Sequence, residues 1–529
     1  MNVVENPAGR TIARQWERAQ RYITDRQFGA ARAVLEALLT HAPENVQARL
    51  LLASVCLEQQ HLREACAHLG VAAKVLPNDP EEIFTVAYCL HQVGETVAMR
   101  DCLRHPEIAR TRSGHALARI AHMHQVLGQH RQALALMDRA KACGYDTPEF
   151  RYFRSLQLQF NGRIDEAVAE LEACLRAGPT IGRASVALAR MRKQTPESNH
   201  LDYIAAQLQK VQQGSEDHAS FEFARFKELD DLDRREEAWV ALQRGNAIMY
   251  ARVAHDLERE RRHFAAITGI CSEAFVNGPN ATFGGPVPIF IVGMPRSGTT
   301  LLERIVSNHS QVSSYGELSD FMRQMRWVAD VHGSALVDDD LLARAADLDY
   351  TEVGRRYLEQ TRWRANGKPF YVDKLPHNFL LAGFIRRALP QARILHMVRS
   401  PMDVCFSNWK AMFGEAYGYS YKLEALADYY RLYRGLMAHW RRVMPGGLLE
   451  VPYAELVRDP EAMTRRVLAF CGLPDEPGCS DIAANRNPVS TLSTAQVREP
   501  IHRRAITAWR RYAEGMRPLR EALGELAQG

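Results

Sequence analysis

The chain has 529 residues with 46% hydrophobic side chains, enough length and apolar content for several packed cores, which argues against one domain. Lys plus Arg exceed Asp plus Glu by 67 − 62 = 5, too small an excess for a nucleic-acid surface. Ten scattered cysteines, Cys56, Cys66, Cys89 and Cys405 among them, form no CxxC pair or zinc-finger spacing. Residues Met1 to Pro7 hold no basic segment followed by an apolar stretch, and no uncharged run of ~18 residues occurs. No metal, secretion signal or membrane span is expected, and the thiols read as buried or free in a reducing cytoplasm.

The first third is a repeat array. Ala19, Ala53, Ala87, Ala121, Ser155 and Ala189 recur every 34 residues, and Ala31, Ala65, Met99, Ala133 and Ala167 keep the same step twelve residues later. Pro43, Pro77 and Pro179 fall at a third fixed phase, where a helix must stop. This is the tetratricopeptide pattern, in which small residues let paired helices approach closely. Met99, Thr111 and Tyr145 depart from it and mark degenerate middle repeats. About five repeats are expected over 12–181, a sixth helix pair starts near 182, and the array is taken to end at 200. Such a solenoid offers a concave groove to a protein or peptide. Alternatively it is a scaffold or a homodimerisation element without a ligand.

Residues 201–284 read as a helical connector. Phe221–Phe226 and Glu236–Leu242 suggest an out-of-phase hairpin, and Gly278-Pro279 with Gly284-Gly285-Pro286 break the helices before a third region, 285–529.

That region opens with an apolar, β-branched run, Val287 to Val292, then Gly293-Met294-Pro295-Arg296-Ser297-Gly298-Thr299-Thr300 and a helical stretch to Ser310. Strand, glycine-bounded loop and helix start together form a phosphate cradle: glycines turn the backbone, and amides, hydroxyls and the helix dipole face one anion. The spacing from Gly293 to Gly298 is that of a nucleoside-triphosphate loop, but Thr299 stands where such loops carry their lysine, which disfavours ATP or GTP hydrolysis. Arg296 places the cation inside the loop instead.

Pro295-Arg296-Ser297-Gly298-Thr299-Thr300 after an apolar strand resembles the 5′-phosphosulfate loop of sulfotransferases, especially the tyrosylprotein sulfotransferase branch and its bacterial relatives with tetratricopeptide repeats in front. The resemblance implies a P-loop-like α/β domain with a central parallel sheet, using 3′-phosphoadenylyl sulfate as co-substrate. It covers 288 to about 515.

Downstream motifs follow the expected order. Glu317, in Ser313-Ser314-Tyr315-Gly316-Glu317-Leu318, matches the family's general base. Tyrosine-specific members carry two adjacent glutamates where Leu318 stands here, leaving the register open by one residue; a plain helix-start charge is the other reading. Lys374, in Tyr371-Val372-Asp373-Lys374-Leu375-Pro376-His377-Asn378, matches the lysine on the donor's bridging oxygen, or else pairs with Asp373 or another acid. A helix from Phe379 to Leu389 leads to a second strand, Arg393–Val398, so the sheet is expected to be parallel with right-handed crossovers. Arg399 and Ser407 match the arginine and serine that hold a 3′-phosphate, which ATP lacks. A further family arginine falls on Ala411, beside Lys410. His396 reads as a core histidine.

Leu448–Leu456 reads as a strand entering a helix, and its Tyr453 matches a tyrosine lining the nucleotide pocket or is a core aromatic. Thr491-Leu492-Ser493-Thr494-Ala495-Gln496-Val497 is similar to the loop that closes over the donor, with Ser493 as transition-state hydroxyl and Thr494 and Gln496 on the nucleotide. The family's later lysine falls on Ala508, leaving Arg510 or another cation to replace it. The combined expectation is sulfuryl transfer to an acceptor hydroxyl, protein tyrosine among the candidates, with the repeats recruiting substrate or partner. A nucleotide kinase on the same loop, or a nucleotide-binding adaptor without catalysis, are the alternatives.

Overall fold

The computed structural model describes residues 7–279, 281–485, 487–489 and 499–528. Two compact units emerge, and neither is continuous in sequence: residues 1–144 group with 319–363, and 145–318 with 364–529.

In the first unit the 34-residue step becomes helical hairpins. Their first helices begin at Val46, Pro80 and Gly114, and their second helices at Phe28, Leu62, Thr96 and His130, each 34 after the last. The small residues that set the period are the contact points: Ala31, Ala65, Ala87, Ala121 and Ala133 are fully buried. Met99 replaces alanine in the hairpin whose second helix, Thr96–Cys102, is shortest, and a separate short helix, Pro106–Arg110, follows it.

The same unit takes in helices Asp320–Ala329, Asp339–Ala345 and Tyr350–Thr361. The first and third of these sit on the turns between repeat helices. Thr96 Oγ1 donates to Asp320 Oδ1 at 2.9 Å, Gln324 Nε2 to the Gly94 carbonyl at 2.9 Å, and Asp330 Oδ1 accepts from the Arg63 amide at 2.8 Å. Arg356 stacks 4.1 Å over Trp327 and pairs with Glu95. The chain's own excursion therefore covers part of the repeat surface.

The second unit continues the register with helices starting at Pro148, Ile164 and Gly182, each in phase with its predecessors. The period then lapses, and Gly182 packs where a Cβ would come 2.5 Å from the Asp217 carbonyl. Helices Glu216–Asp231 and Arg235–Arg252 form the out-of-phase hairpin. The expected helix from Phe379 to Leu389 is instead a 3-10 turn, Pro376–Leu381, followed by helix Ala382–Ala388.

Five strands build the sheet: β1 Val287–Gly293, β2 Val312–Ser314, β3 Phe370–Asp373, β4 Arg393–Val398 and β5 Leu449–Pro452. All neighbours are parallel, in the order β2-β3-β1-β4-β5. β1 is central and buried, as a strand covered on both faces must be. Register aligns Phe290 with Asp373 and Gly293 with Met397. The carboxyl ends of β3, β1 and β4 thus open side by side where chain order reverses, the place where α/β sheets bind ligands.

Candidate active site

The loop after β1 is fixed by what it cannot avoid touching. Gly298 has φ 112°, and a Cβ there would lie 2.7 Å from Tyr453 Cδ2 and 2.9 Å from Met397 Cε. Arg296 takes a left-handed φ of 66° without being glycine, a strained conformation. Helix Thr299–Asn308 starts from Gly298 with no side-chain cap on its first amides, and Thr299 and Thr300 are buried in that turn. The Ser297 hydroxyl, 1% exposed, has no hydrogen-bond partner among the described residues. A buried orphan hydroxyl beside uncapped amides suits an anion.

Two residues at the end of β4 and on the helix after it hold this loop. Arg399 Nη1 donates to the Arg296 carbonyl at 2.9 Å and Nη2 to the Ala505 carbonyl at 2.6 Å, while its guanidinium lies 4.9 Å from the Tyr453 ring. Asn408, fully buried on helix Pro401–Trp409, donates to the Pro295 carbonyl at 2.8 Å. Arg399 is thus directed at the glycine loop. Ser407 is half-buried on the same helix. Burial pushes the Arg296 guanidinium down to about 10, helped by the neighbouring cations Arg190 and Arg399. Burial also lowers Arg399, with Tyr453 and Asp403 acting the other way.

On the β3 side, Lys374 follows the last strand residue and is completely buried. Its Nζ is 2.6 Å from Glu317 Oε1 and 3.8 Å from Glu303 Oε2. Burial alone would lower the ammonium's pKa, but the two carboxylates outweigh it and leave it raised. Glu303, on the helix that leaves the loop, also accepts from Ser314 Oγ at 2.6 Å. Glu317 is 44% exposed, so this carboxylate faces solvent while its partner lysine does not. His377 donates to or accepts from Tyr429 Oη at 2.7 Å, packs 4.7 Å from the Tyr417 ring, and is driven down to about 4 by burial.

The structure brings together Arg296, Ser297, Gly298, Thr299, Thr300, Arg399 and Tyr453 around the glycine loop, and Glu317 with Lys374 as one pair. Ser493, Thr494 and Gln496 lie outside the described residues. Glu303, Asn408 and His377 were not singled out by sequence: a glutamate one turn into a helix and an asparagine at a helix end carry no local signal. Among the described residues, the three-residue set of metal-ligand type is Cys56, Glu64 and His68 in the second repeat, where Glu64 is already held by Arg32 at 2.6 Å.

The fold and loop define a P-loop-like α/β domain of the group-transfer kind, preceded by helical repeats. Residues 288–477 match the family model of the sulfotransferase family, and residues 22–85 that of the tetratricopeptide repeat. The chain therefore carries a sulfotransferase-family domain behind tetratricopeptide repeats. An uncharacterized protein of Aquifex aeolicus (strain VF5) is 33% identical over 252 residues, 45% of this chain and 32% of that protein. A putative protein-tyrosine sulfotransferase of Caenorhabditis briggsae is 25% identical over 234 residues, 42% of this chain and 80% of that one. Protein-tyrosine sulfotransferase 1 of Danio rerio is 24% identical over 248 residues, 42% and 65% respectively. The chain thus spans about a third of the length of the first relative. No helix of the described residues is long and apolar enough to cross a membrane.

Proposed function

We propose that this protein transfers a sulfuryl group from 3′-phosphoadenylyl sulfate to an acceptor hydroxyl. The observation that carries the reading is the fully buried Lys374 held by Glu317 at 2.6 Å beside the glycine loop. Glu317 takes the acceptor's proton, and the oxygen attacks sulfur. The bond from sulfur to the 5′-phosphate oxygen then breaks, and adenosine 3′,5′-bisphosphate leaves. Lys374, kept charged by two carboxylates, and Arg296 meet the charge that grows on the leaving oxygens. Ser493 is proposed to add a hydroxyl there. Ser297, Gly298, Thr299, Thr300, Arg399, Ser407, Tyr453, Thr494 and Gln496 hold the nucleotide, with Arg399 and Ser407 on the 3′-phosphate. Sulfuryl carries less charge than phosphoryl, so a lysine suffices without a metal.

The functional division we propose is repeats over 12–200, connector over 201–284 and transferase over 285–529. The repeats bring a protein or peptide to the transferase, and protein tyrosine is the acceptor favoured by the two named relatives. The ten unpaired cysteines, mostly buried, suit a reducing cytoplasm.

Radiolabelled donor incubated with cell extract tests this. Label should pass to an acceptor with wild-type protein and not with Lys374→Ala, which should still bind adenosine 3′,5′-bisphosphate. Transfer by Lys374→Ala at the wild-type rate contradicts the reading. ATP bound in preference to the bisphosphate would point to a kinase, and donor binding without turnover to an adaptor.

A further inference from the structure

The unit built on the repeats holds a polar cavity of about 50 Å³, none of whose residues has a part in the proposed transfer. It is lined by Gln92 from the repeats and by Arg323, Arg326, His332, Gly333 and Ser334 from the Ser319–Trp363 excursion. Arg326, 2% exposed, gathers the loop that follows its helix: Nε donates to the Ser334 carbonyl at 2.6 Å, and Nη2 to the Leu336 carbonyl at 2.7 Å and to Asp338 Oδ2 at 2.6 Å. Its Nη1 is buried with no hydrogen-bond partner among the described residues. Gly333 lies against that nitrogen, where a Cβ would come within 2.4 Å, so no side chain of residue 333 covers it.

Arg323 is a second guanidinium short of acceptors. Its Nε donates to Ser319 Oγ at 3.1 Å, while Nη1 lies 3.4 Å from His91 Nδ1 and Nη2 3.4 Å from His91 Nε2. Burial, then Arg323 itself, bring His91 down to about 3, so the ring is neutral at pH ~7 and has a single acceptor nitrogen. One of the two Nη groups therefore faces an N–H. Burial lowers the Arg323 guanidinium, and the acid opposing that shift is Asp320, which already accepts from Thr96 Oγ1 at 2.9 Å. Asp338 balances Arg326 and caps helix Asp339–Ala345 through Oδ1, so Arg323 is the unmatched charge in the wall. His332, lowered by burial and then by Arg326, adds no carboxylate to offset it. Buried donors in excess of acceptors, with a positive charge left over, call for an anion.

We propose that this cavity binds a tetrahedral oxyanion of the phosphate or sulfate type, held by Arg326 Nη1 and the Arg323 guanidinium. One water centre needs roughly 10–15 Å³, so the space of about 50 Å³ admits about four oxygen-sized atoms, the number in such an ion, and is too small for a nucleotide. Guanidinium forks match the oxygen spacing of these ions. Ser334 is exposed, so the cavity opens to solvent and takes the ion either free or esterified to a side chain of a partner. The ion lies between helix Asp320–Ala329, which carries both arginines, and the C-terminal turn of repeat helix Pro80–Val93, which carries Gln92. Its binding therefore stabilises the excursion on the repeats. The inference does not depend on the donor reading, since no residue of the cavity belongs to the glycine loop.

Titration calorimetry of the full chain with inorganic phosphate, sulfate and O-phosphoserine in turn, at fixed ionic strength and with excess adenosine 3′,5′-bisphosphate to fill the glycine loop, tests this. Saturable binding of one ion per chain is expected. O-phosphoserine binding more tightly than phosphate assigns the ion to a partner's side chain, and the reverse order assigns a free ion. Arg323→Gln should weaken binding by at least about tenfold. Gln92, exposed at the rim, allows a test of sign that leaves the packing alone. Gln92→Glu should weaken binding by roughly tenfold and Gln92→Lys should tighten it, opposite shifts that a merely structural role does not produce. If the bisphosphate fails to bind, an ion left on the glycine loop persists in Arg323→Gln and Gln92→Glu alike, so it cannot imitate this pattern. Wild-type protein that binds none of the three probes, or Arg323→Gln and Gln92→Glu that bind them as wild type does, overturns the assignment.

Discussion

Replacing Glu303 by glutamine removes one of the two carboxylates facing Lys374 and keeps the shape. The amide oxygen can still accept from Ser314 Oγ, so the substitution isolates charge. Glu303 Oε2 and Lys374 Nζ are 3.8 Å apart, and both side chains are nearly inaccessible, at 10% and 0% exposure. At an effective dielectric of about 20 that separation corresponds to about 4 kcal/mol, or roughly 3 pH units, as a ceiling before relaxation. The wild-type ammonium is raised, so its contribution to stability is complete below the unfolded value of about 10.4 and is lost as pH climbs through the folded value. In Glu303→Gln that contribution shrinks and disappears earlier. Urea midpoints measured from pH ~7 to ~10.5 should show the alkaline fall displaced downward by about 1 to 3 pH units, with about 1–3 kcal/mol lost at neutral pH. If sulfuryl transfer needs Lys374 charged, the alkaline limb of the rate profile moves with it. Superimposable curves for variant and wild type would show that Glu303 does not support the lysine.

Gly298→Ala puts a Cβ against Tyr453 at a φ of 112°. A loss of about 1–2 kcal/mol in a thermal melt is expected, with bisphosphate affinity down by at least about tenfold; normal affinity would mean the loop is not the anion seat. Asn408→Ala frees the Pro295 carbonyl, and calorimetric binding should weaken while stability falls by about 1–3 kcal/mol. Ala121→Leu overfills a fully buried repeat contact, which should cost about 1–3 kcal/mol by urea unfolding; a neutral effect would show that the small residue is not what lets the helices meet.

Much of this architecture was legible because its signals are local or periodic. Ala53, Ala87 and Ala121 mark the repeat step, and helix starts at Val46, Pro80 and Gly114 keep it. Gly293 and Gly298 bracket a turn that only glycine tolerates, and the short apolar runs around Ile291 and Leu395 became adjacent parallel strands. Lys374 and Arg399 were named through the family resemblance, and the structure sets each directly after such a strand. The excursion over Ser319–Trp363 was not legible, since its anchors join residues far apart, as Thr96 to Asp320, and amphipathic helices do not state which surface they will cover. Glu303 and Asn408 stayed hidden for a related reason. Their importance lies in a carbonyl or an ammonium contributed by another element, and neither alters the local pattern.

Paired binding isotherms for adenosine 3′,5′-bisphosphate and adenosine 5′-monophosphate, in wild type and Arg399→Met, bear most directly on the donor assignment. Wild type should prefer the bisphosphate by about a hundredfold, and the preference should collapse in the variant while the monophosphate is affected far less. Equal affinity for both nucleotides in the wild type would leave Arg399 without a 3′-phosphate to hold and the proposed donor without its second grip.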